Sequence, residues 1–165
     1  IMKDSLGRQW QMGTLQLDFQ IPQRFNLKYA AADGTQKTPV VIHRVIYGSL
    51  ERFIGILIEH YAGAFPFWLA PVQIKILSIN DKVTDYAEKI ISTLEQKDIR
   101  CERDFRNESI GKKIREAEMQ KVPYIFVIGD KEVEASTVNV RTRSKKETVT
   151  ITLDEFLELI KPEIN

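Results

Sequence analysis

Three polar residues near the amino terminus, Gln11, Thr14 and Gln16, carry side chains that can both donate and accept hydrogen bonds. Thr14 and Gln16 are two positions apart, so a β-strand would place them on one face. Such a row can line a pocket for a small hydroxylated ligand. It can also be an ordinary solvent-facing strand surface, and spacing alone favours that second interpretation.

Residues 48–52, GSLER, suggest a different kind of site. A glycine before a helix leaves backbone N–H groups and the positive end of the helix dipole available to an anion. Arg52, one turn into that helix, can bind a phosphate through two hydrogen bonds. A solvated arginine near a helix start is the plain alternative.

His43 ends an apolar stretch and is a possible metal ligand. A lone histidine is more often structural, and neither His60 nor Cys101 stands at a recognisable ligand spacing from it. The residues alone therefore do not define a metal site.

The carboxyl-terminal half carries polar residues suited to RNA. Asn and Glu can read the edges of unstacked bases, while Arg and Lys hold phosphate or stack on the bases. Ligands of open α/β sheets usually bind in loops that follow the strands. A mixed-charge surface without a ligand is the alternative, because acidic residues are interleaved. The candidates are Asn107, Lys112, Lys113, Arg115, Glu132, Arg141 and Arg143.

The elements that must position the first candidates are two strands and a helix. Residues 14–21 alternate apolar and polar side chains, which predicts a half-buried strand. A second strand is predicted from residue 39 to about 43. Helical spacing begins after Ser49, a suitable N-cap, and is expected to end near Gly63. Two antiparallel strands leading into a core helix are predicted for residues 1–65.

After a connector at residues 62–71, predicted strands and helices alternate. A helix capped by Asp81 and a second helix from Ser109 separate the first three strands. The last two strands form a hairpin around residues 144–146, and Thr152 with Glu155 has capping-box spacing before a final helix. This order predicts a three-layer α/β domain with a mixed, mostly parallel sheet over residues 66–165. The strands are predicted at 72–79, 99–105, 124–128, 138–143 and 148–151.

Bulk properties restrict the function classes. The chain has 165 residues and a net charge of +1, so any nucleic-acid site depends on local placement of Lys and Arg. Its single cysteine excludes an internal disulfide framework and fits a reducing compartment such as the cytoplasm. The apolar stretches are too short to span a bilayer, so no membrane partner is expected.

Three segments, in order, resemble the threonyl-tRNA synthetase family. Residues 10–19 (WQMGTLQLDF) resemble its stretch W-Q-x-G-T-x-Q-L-D-F, and residues 41–55 (VIHRVIYGSLERFIG) resemble its class II motif 3. Residues 104–115 (DFRNESIGKKIR), with 129–132 and 140–143, resemble its anticodon-binding domain. The resemblance implies the end of an antiparallel-sheet class II catalytic domain, followed by the α/β domain.

The resemblance also implies roles in an ATP-dependent ligase that joins threonine to tRNA(Thr). Arg52 would bind the ATP triphosphate with its Mg²⁺, and Gly48 and Ser49 would lie beneath the nucleotide. Gln11, Thr14 and Gln16 would surround threonine and the adenylate, with Gln11 and Arg52 as the catalytic pair. His43 would be one of three ligands to a Zn²⁺ ion that distinguishes threonine from valine. Asn107, Arg115, Glu132 and Arg141 would contact the anticodon.

Two alternatives to the threonyl-tRNA synthetase family remain open at this point. One is another class II synthetase, prolyl or histidyl, although those lack the Q-x-G-T-x-Q and I-H-R pairing. The other is a non-catalytic RNA-binding protein that reuses the architecture. The chain is expected to be a fragment of a homodimeric parent, lacking motifs 1 and 2 and two zinc ligands. We therefore expect the fragment alone to be inactive and to hold zinc weakly.

Overall fold

The computed structural model describes residues 1–143 and 148–164. Contacts divide the chain into two compact units, Ile1–Tyr61 and Ala62–Asn165. The predicted boundary at residue 65 differs from this division by four positions and stays a prediction. The turn of the predicted hairpin, residues 144–146, lies outside the described residues.

The first unit contains three small antiparallel pairs and two helices. Strand β3 pairs with β6 in the predicted antiparallel manner, and Ser49 caps α2 by accepting a hydrogen bond from the Arg52 N–H. Its elements are β1 Met2–Lys3, β2 Gln9–Trp10, β3 Thr14–Asp18, α1 Gln20–Arg24, β4 Tyr29–Ala30, β5 Gln36–Lys37, β6 Val41–Val45 and α2 Leu50–His60.

The strand predicted for residues 14–21 is wrong beyond Asp18, where helix α1 begins shortly after. Asp18 Oδ1 accepts hydrogen bonds from the backbone N–H groups of Gln20 and Ile21 at 2.8 and 2.9 Å. A carboxylate that satisfies these donors stabilises a helix start. The apolar side chains Leu15 and Leu17 are 68% and 58% exposed, not half-buried as predicted.

The second unit is a five-stranded mixed sheet between helices, in the order β11-β10-β9-β7-β8. Strands β7, β8 and β9 are parallel to one another, and β10 pairs antiparallel with both β9 and β11, so the predicted fold class is confirmed. Its elements are β7 Ile74–Ser78, α3 Thr84–Glu95, β8 Cys101–Asp104, α4 Ile110–Met119, β9 Tyr124–Ile128, α5 Asp130–Ala135, β10 Val138–Thr142, β11 Thr148–Ile151 and α6 Leu153–Ile164.

The two faces of this sheet bury different side chains. On one face, Phe126 and Ile76 pack with Phe156 of α6 and Leu94 of α3 in the main core. On the other face, Leu77 and Ile125 pack against Ala117 of α4. Strand β9 is buried on both faces, which its nearly all-apolar sequence predicts. Helices therefore cover both faces of the sheet, and this unit has its own packed core.

Two helix caps predicted in the second unit have different outcomes in the structure, and one helix was missed. The α3 region is capped by Asn80, whose side chain accepts from Lys82 N, and not by Asp81. The short helix α5 was not predicted. The Thr152 capping box is confirmed, because Glu155 Oε2 accepts from Thr152 N at 2.8 Å and Thr152 Oγ1 accepts from Glu155 N at 3.3 Å.

Candidate functional site

The pairing of β3 with β6 brings three of the predicted residues onto one face. Gln16 is directly opposite His43, and Thr14 is directly opposite Val45. Side chains of directly opposed residues project to the same side of a sheet. Thr14 and Gln16 therefore share their face with His43, as a pocket for a small polar ligand would require.

Gln11 reaches this region through a close backbone approach. Gly48 has φ +68°, and a Cβ atom there would lie 2.9 Å from the Met12 carbonyl oxygen and 3.7 Å from that of Gln11. Only glycine fits this approach without strain. The turn before α2 thus packs directly on the loop that carries Gln11.

His43 faces a carboxylate and not a cluster of metal ligands. Its Nε2 lies 3.3 Å from Asp18 Oδ2. Hydrogen bonds from the backbone N–H of Ile21 and then of Gln20 lower the pKa of Asp18, with a further contribution from His43. Among residues 1–143 and 148–164, no three His, Cys, Asp or Glu side chains are grouped as a metal would need. The described residues therefore do not fit a complete zinc site.

Arg52 lies beside the ring of Trp10, a residue not predicted as part of the site. Its Cζ is 6.0 Å from the centre of the Trp10 ring, and Arg8 Cζ is 5.6 Å from it. Trp10 Nε1 donates a hydrogen bond to Asp4 Oδ2 at 2.8 Å, which fixes the indole. Both arginines are within the range of cation–π attraction. The aromatic residue in the WQMGT segment was the signal that could have revealed this contact.

In the second unit, Asn107 and Arg115 are exposed. Asn107 lies between β8 and α4, and Arg115 lies on α4. Within the described part of the chain, neither side chain has a hydrogen bond or ion pair to the protein. Their polar groups are therefore available to a ligand.

Glu132 and Arg141 are partly engaged. Glu132 Oε2 accepts a hydrogen bond from Gly129 N at 2.9 Å and so caps α5. Arg141 Nη2 lies 3.5 Å from Glu118 Oε1 on α4. Such a long, partly exposed ion pair contributes little stability and can be exchanged for a phosphate contact.

Arg141 lies on an open part of the sheet. In β10 it is opposite Ile125 on one side and Thr148 on the other. Asn139, two positions earlier on the same face, donates to Thr150 Oγ1 at 3.3 Å. Thr148 and Thr150 are exposed. The edge of α4 and this polar strand surface together form a candidate face for a polar ligand.

Lys113, predicted to be displayed with Lys112 on the helix surface, is instead buried, with 2% of its surface exposed. Its Nζ donates to the carbonyl oxygen of Ser78 at 2.9 Å. Lys113 is therefore part of the core. Arg143 is also structural, because its Nη1 donates to the Lys121 carbonyl at 2.8 Å.

Comparison with known families assigns both units. The family described as "Anticodon binding domain" matches residues 70–163, and "tRNA synthetase class II core domain (G, H, P, S and T)" matches residues 1–61. The chain belongs to the anticodon-binding domain family, whose model matches more than half of it, and its first 61 residues are similar to a class II tRNA synthetase core. Curated relatives narrow the likeness further.

Those relatives are threonine–tRNA ligases. The chain is 60% identical over 163 residues to that of Clostridium botulinum (strain Langeland), and 56% identical to that of Caldanaerobacter subterraneus. Both alignments cover 99% of this chain but only 26% and 25% of the relatives. The chain therefore spans about a quarter of the length of the curated relatives it matches.

Solved structures agree on the fold. The RNA binding domain of threonyl-tRNA synthetase from Cryptosporidium parvum superposes with a TM-score of 0.80 at 38% identity, covering 98% of this chain and 41% of that one. Prolyl-tRNA synthetase from the same organism gives 0.65 at 21% identity, covering 93% and 34%. The second likeness concerns the fold alone. No helix among the described residues has the length and apolar character needed to cross a membrane.

Proposed function

We propose that this chain is the C-terminal part of a threonine–tRNA ligase. In this proposal, the parent enzyme activates threonine with ATP and transfers it to tRNA(Thr). The second unit recognises the anticodon, and the first supplies motif 3 of the active site. The observation that carries the proposal is the 60% identity to such a ligase over 99% of the chain.

In the first unit, Arg52 would bind the ATP triphosphate and Gln11 would act beside it at the reacting groups. Thr14 and Gln16 would hold threonine and its adenylate, with Gly48 and Ser49 beneath the nucleotide. Two observations support this arrangement: Thr14 and Gln16 share a face, and Gly48 packs on the loop carrying Gln11. ATP would bring Mg²⁺, which neutralises phosphate charge.

His43 would be one of three zinc ligands in the parent. Its neighbour on the opposite strand is Gln16, so a metal held there would face the proposed threonine pocket. The other two ligands would have to come from outside this chain, because the described residues contain no ligand cluster. Zinc would supply Lewis-acid binding of the threonine hydroxyl and amino groups, which an apolar pocket cannot provide.

In the second unit, Asn107, Arg115, Glu132 and Arg141 would contact the anticodon. Asn107 and Arg115 are exposed. The ion pair between Arg141 and Glu118 is long and therefore weak, so Arg141 can exchange it for a contact with RNA. Glu132 would use the oxygen that does not cap α5. We further propose that the parent is a cytoplasmic homodimer, because protein synthesis takes place in that compartment and motif 1 of class II enzymes carries much of the dimer interface.

The test is binding of the chain to tRNA(Thr) transcripts with the native and with altered anticodons, at one salt concentration. We expect a preference for the threonine anticodon that Asn107→Ala or Arg141→Ala abolishes. Lys89→Ala is the matched control, since it removes an exposed charge from α3, which packs on the opposite face of the sheet. Equal, strongly salt-dependent binding of the unaltered chain to every transcript would contradict the proposal.

A further inference from the structure

The loop that carries Asn107 is held by an arginine that comes directly before it. Arg106 binds Asp104 through two parallel hydrogen bonds, Nε to Oδ1 at 2.8 Å and Nη2 to Oδ2 at 2.6 Å. Asp104 is 4% exposed and lies at the end of β8. A two-point contact of this kind fixes direction as well as distance. Arg106 therefore ties the loop to the rigid end of the sheet.

A second carboxylate holds the same guanidinium from the helix side. Arg106 Nη2 also contacts Glu116 Oε2 of α4 at 2.5 Å. The backbone follows this anchor, because Glu108 N donates to the Arg106 carbonyl at 2.9 Å. Asn107 thus lies between Arg106, which its side chain anchors, and Glu108, which a backbone hydrogen bond ties to Arg106.

The contact between Asp104 and Arg106 lies next to a second buried, charged residue, Lys113. Lys113 Nζ lies in the core and donates to Ser78 at the end of β7. Hydrogen bonds from Arg106 lower the pKa of Asp104 most strongly, and the charge of Lys113 lowers it further. Asp104 therefore stays ionised and keeps its hold on Arg106 at neutral pH.

We infer that Arg106, held between Asp104 and Glu116, is a positioning residue that presents Asn107 to an RNA base. This inference rests on the proposed anticodon recognition. Arg106 would not read RNA itself, because two of its nitrogens are engaged by carboxylates whose charge opposes a phosphate. Its effect would be on selectivity between anticodons and not on the general attraction to RNA.

Direct phosphate binding by Arg106 predicts a different result. Loss of a phosphate contact weakens binding to every transcript and reduces the salt slope by about 0.7 for single-stranded RNA. Loss of a positioning contact lowers selectivity and leaves the salt slope unchanged. The Glu116→Gln variant distinguishes direct phosphate binding from positioning more sharply. Neutralising an acid near RNA should strengthen all binding electrostatically, whereas removal of a positioning contact should reduce selectivity.

The experiment measures Kd for native and altered anticodon transcripts over a range of salt, using the whole chain. The variants are Arg106→Gln, Arg106→Lys and Glu116→Gln. Arg106→Lys keeps the charge but cannot form the two-point contact. The matched control is Arg103→Gln in β8, where an exposed arginine pairs with Glu88 on the surface. Urea unfolding of each variant verifies that the domain is folded.

We expect all three test variants to lose about tenfold in anticodon preference, the scale of losing one base-reading contact. Their salt slopes should match that of the unaltered chain, and Arg103→Gln should keep the full preference. If Arg106→Gln retains its preference, or if Arg106→Lys restores it, the inference is wrong. If the unaltered chain shows no preference, the proposed anticodon recognition fails instead.

Discussion

The buried lysine of α4 offers a direct test of how the second unit is stabilised. Replacing Lys113 with Met keeps an unbranched side chain of similar volume, so little cavity forms. The change removes the hydrogen bond from Nζ to the Ser78 carbonyl, 2.9 Å long, and the positive charge beside Asp104. A hydrogen bond from a charged group contributes about 1.5–3 kcal/mol.

Leaving a buried charge without any partner costs about 3–5 kcal/mol. Asp104 keeps its two-point contact with Arg106, so that upper range should not be reached. We expect Lys113→Met to lower the free energy of unfolding by about 2–3 kcal/mol. The neighbouring Lys112 is exposed and paired with Glu108 four residues away, a surface contact that contributes little to stability. Lys112→Met is therefore the matched control.

Urea unfolding followed by Trp68 fluorescence, in a Trp10→Phe background, measures the second unit. At a typical dependence of about 1–3 kcal/mol per molar urea, the midpoint should fall by about 1 M. If Lys113→Met and Lys112→Met unfold within about 0.5 kcal/mol of each other, the buried role of Lys113 is refuted. The surface assignment made from the sequence would then be the better one.

Three further predictions concern strain, acid stability and catalysis. Gly48→Ala should destabilise the first unit by more than the about 1–2 kcal/mol of left-handed strain, because its Cβ would meet the Met12 carbonyl at 2.9 Å; Gly34→Ala, also at positive φ but with open space, should show the strain alone in the same unfolding assay. Hydrogen bonds from Arg106 lower the pKa of Asp104 from 3.8 and that of Glu116 from 4.5. The stabilisation from these carboxylates is therefore present above their unfolded pKa values and is lost as the pH falls through their lower pKa values in the folded state. Urea unfolding midpoints should drop more steeply with acid in the unaltered chain than in Arg106→Gln. The chain alone should form no threonyl-adenylate in a pyrophosphate exchange assay, and detectable exchange would contradict the proposed dependence on other parts of the parent.

Sequence patterns predicted most of the second unit because its elements are long and its core is internal. The apolar run of β9 and the spacing of α3 and α4 predicted those elements directly. The burial of Lys113 was not predictable in the same way, since a lysine is usually exposed. Its partner Ser78 is 35 positions away, so only the tertiary structure brings the two together.

The errors in short elements have local physical causes. Residues 14–21 alternate like a strand, but Asp18 satisfies two backbone donors and turns the chain into α1. Helix α5 has six residues, fewer than two turns, so it shows no hydrophobic period. Its signal was Glu132, three residues after Gly129, which supplies the acidic half of a capping box, although glycine has no side chain for the other half. The same contact means that Glu132 has a structural role beside its proposed RNA contact.

The two units differ in how far this chain can test their proposed sites. In the second unit, alternation along β10 buries Val138 and Val140 in the unit's own core, and the proposed RNA face is the opposite one. In the first unit, the same kind of alternation leaves Leu15, Leu17 and Ile42 more than half exposed. Apolar surface on that scale favours association with other protein, and the matched ligases are about four times as long. Anticodon selectivity is therefore a fair assay for this chain, whereas the roles proposed for Arg52, Gln11 and His43 require measurement in a full-length ligase.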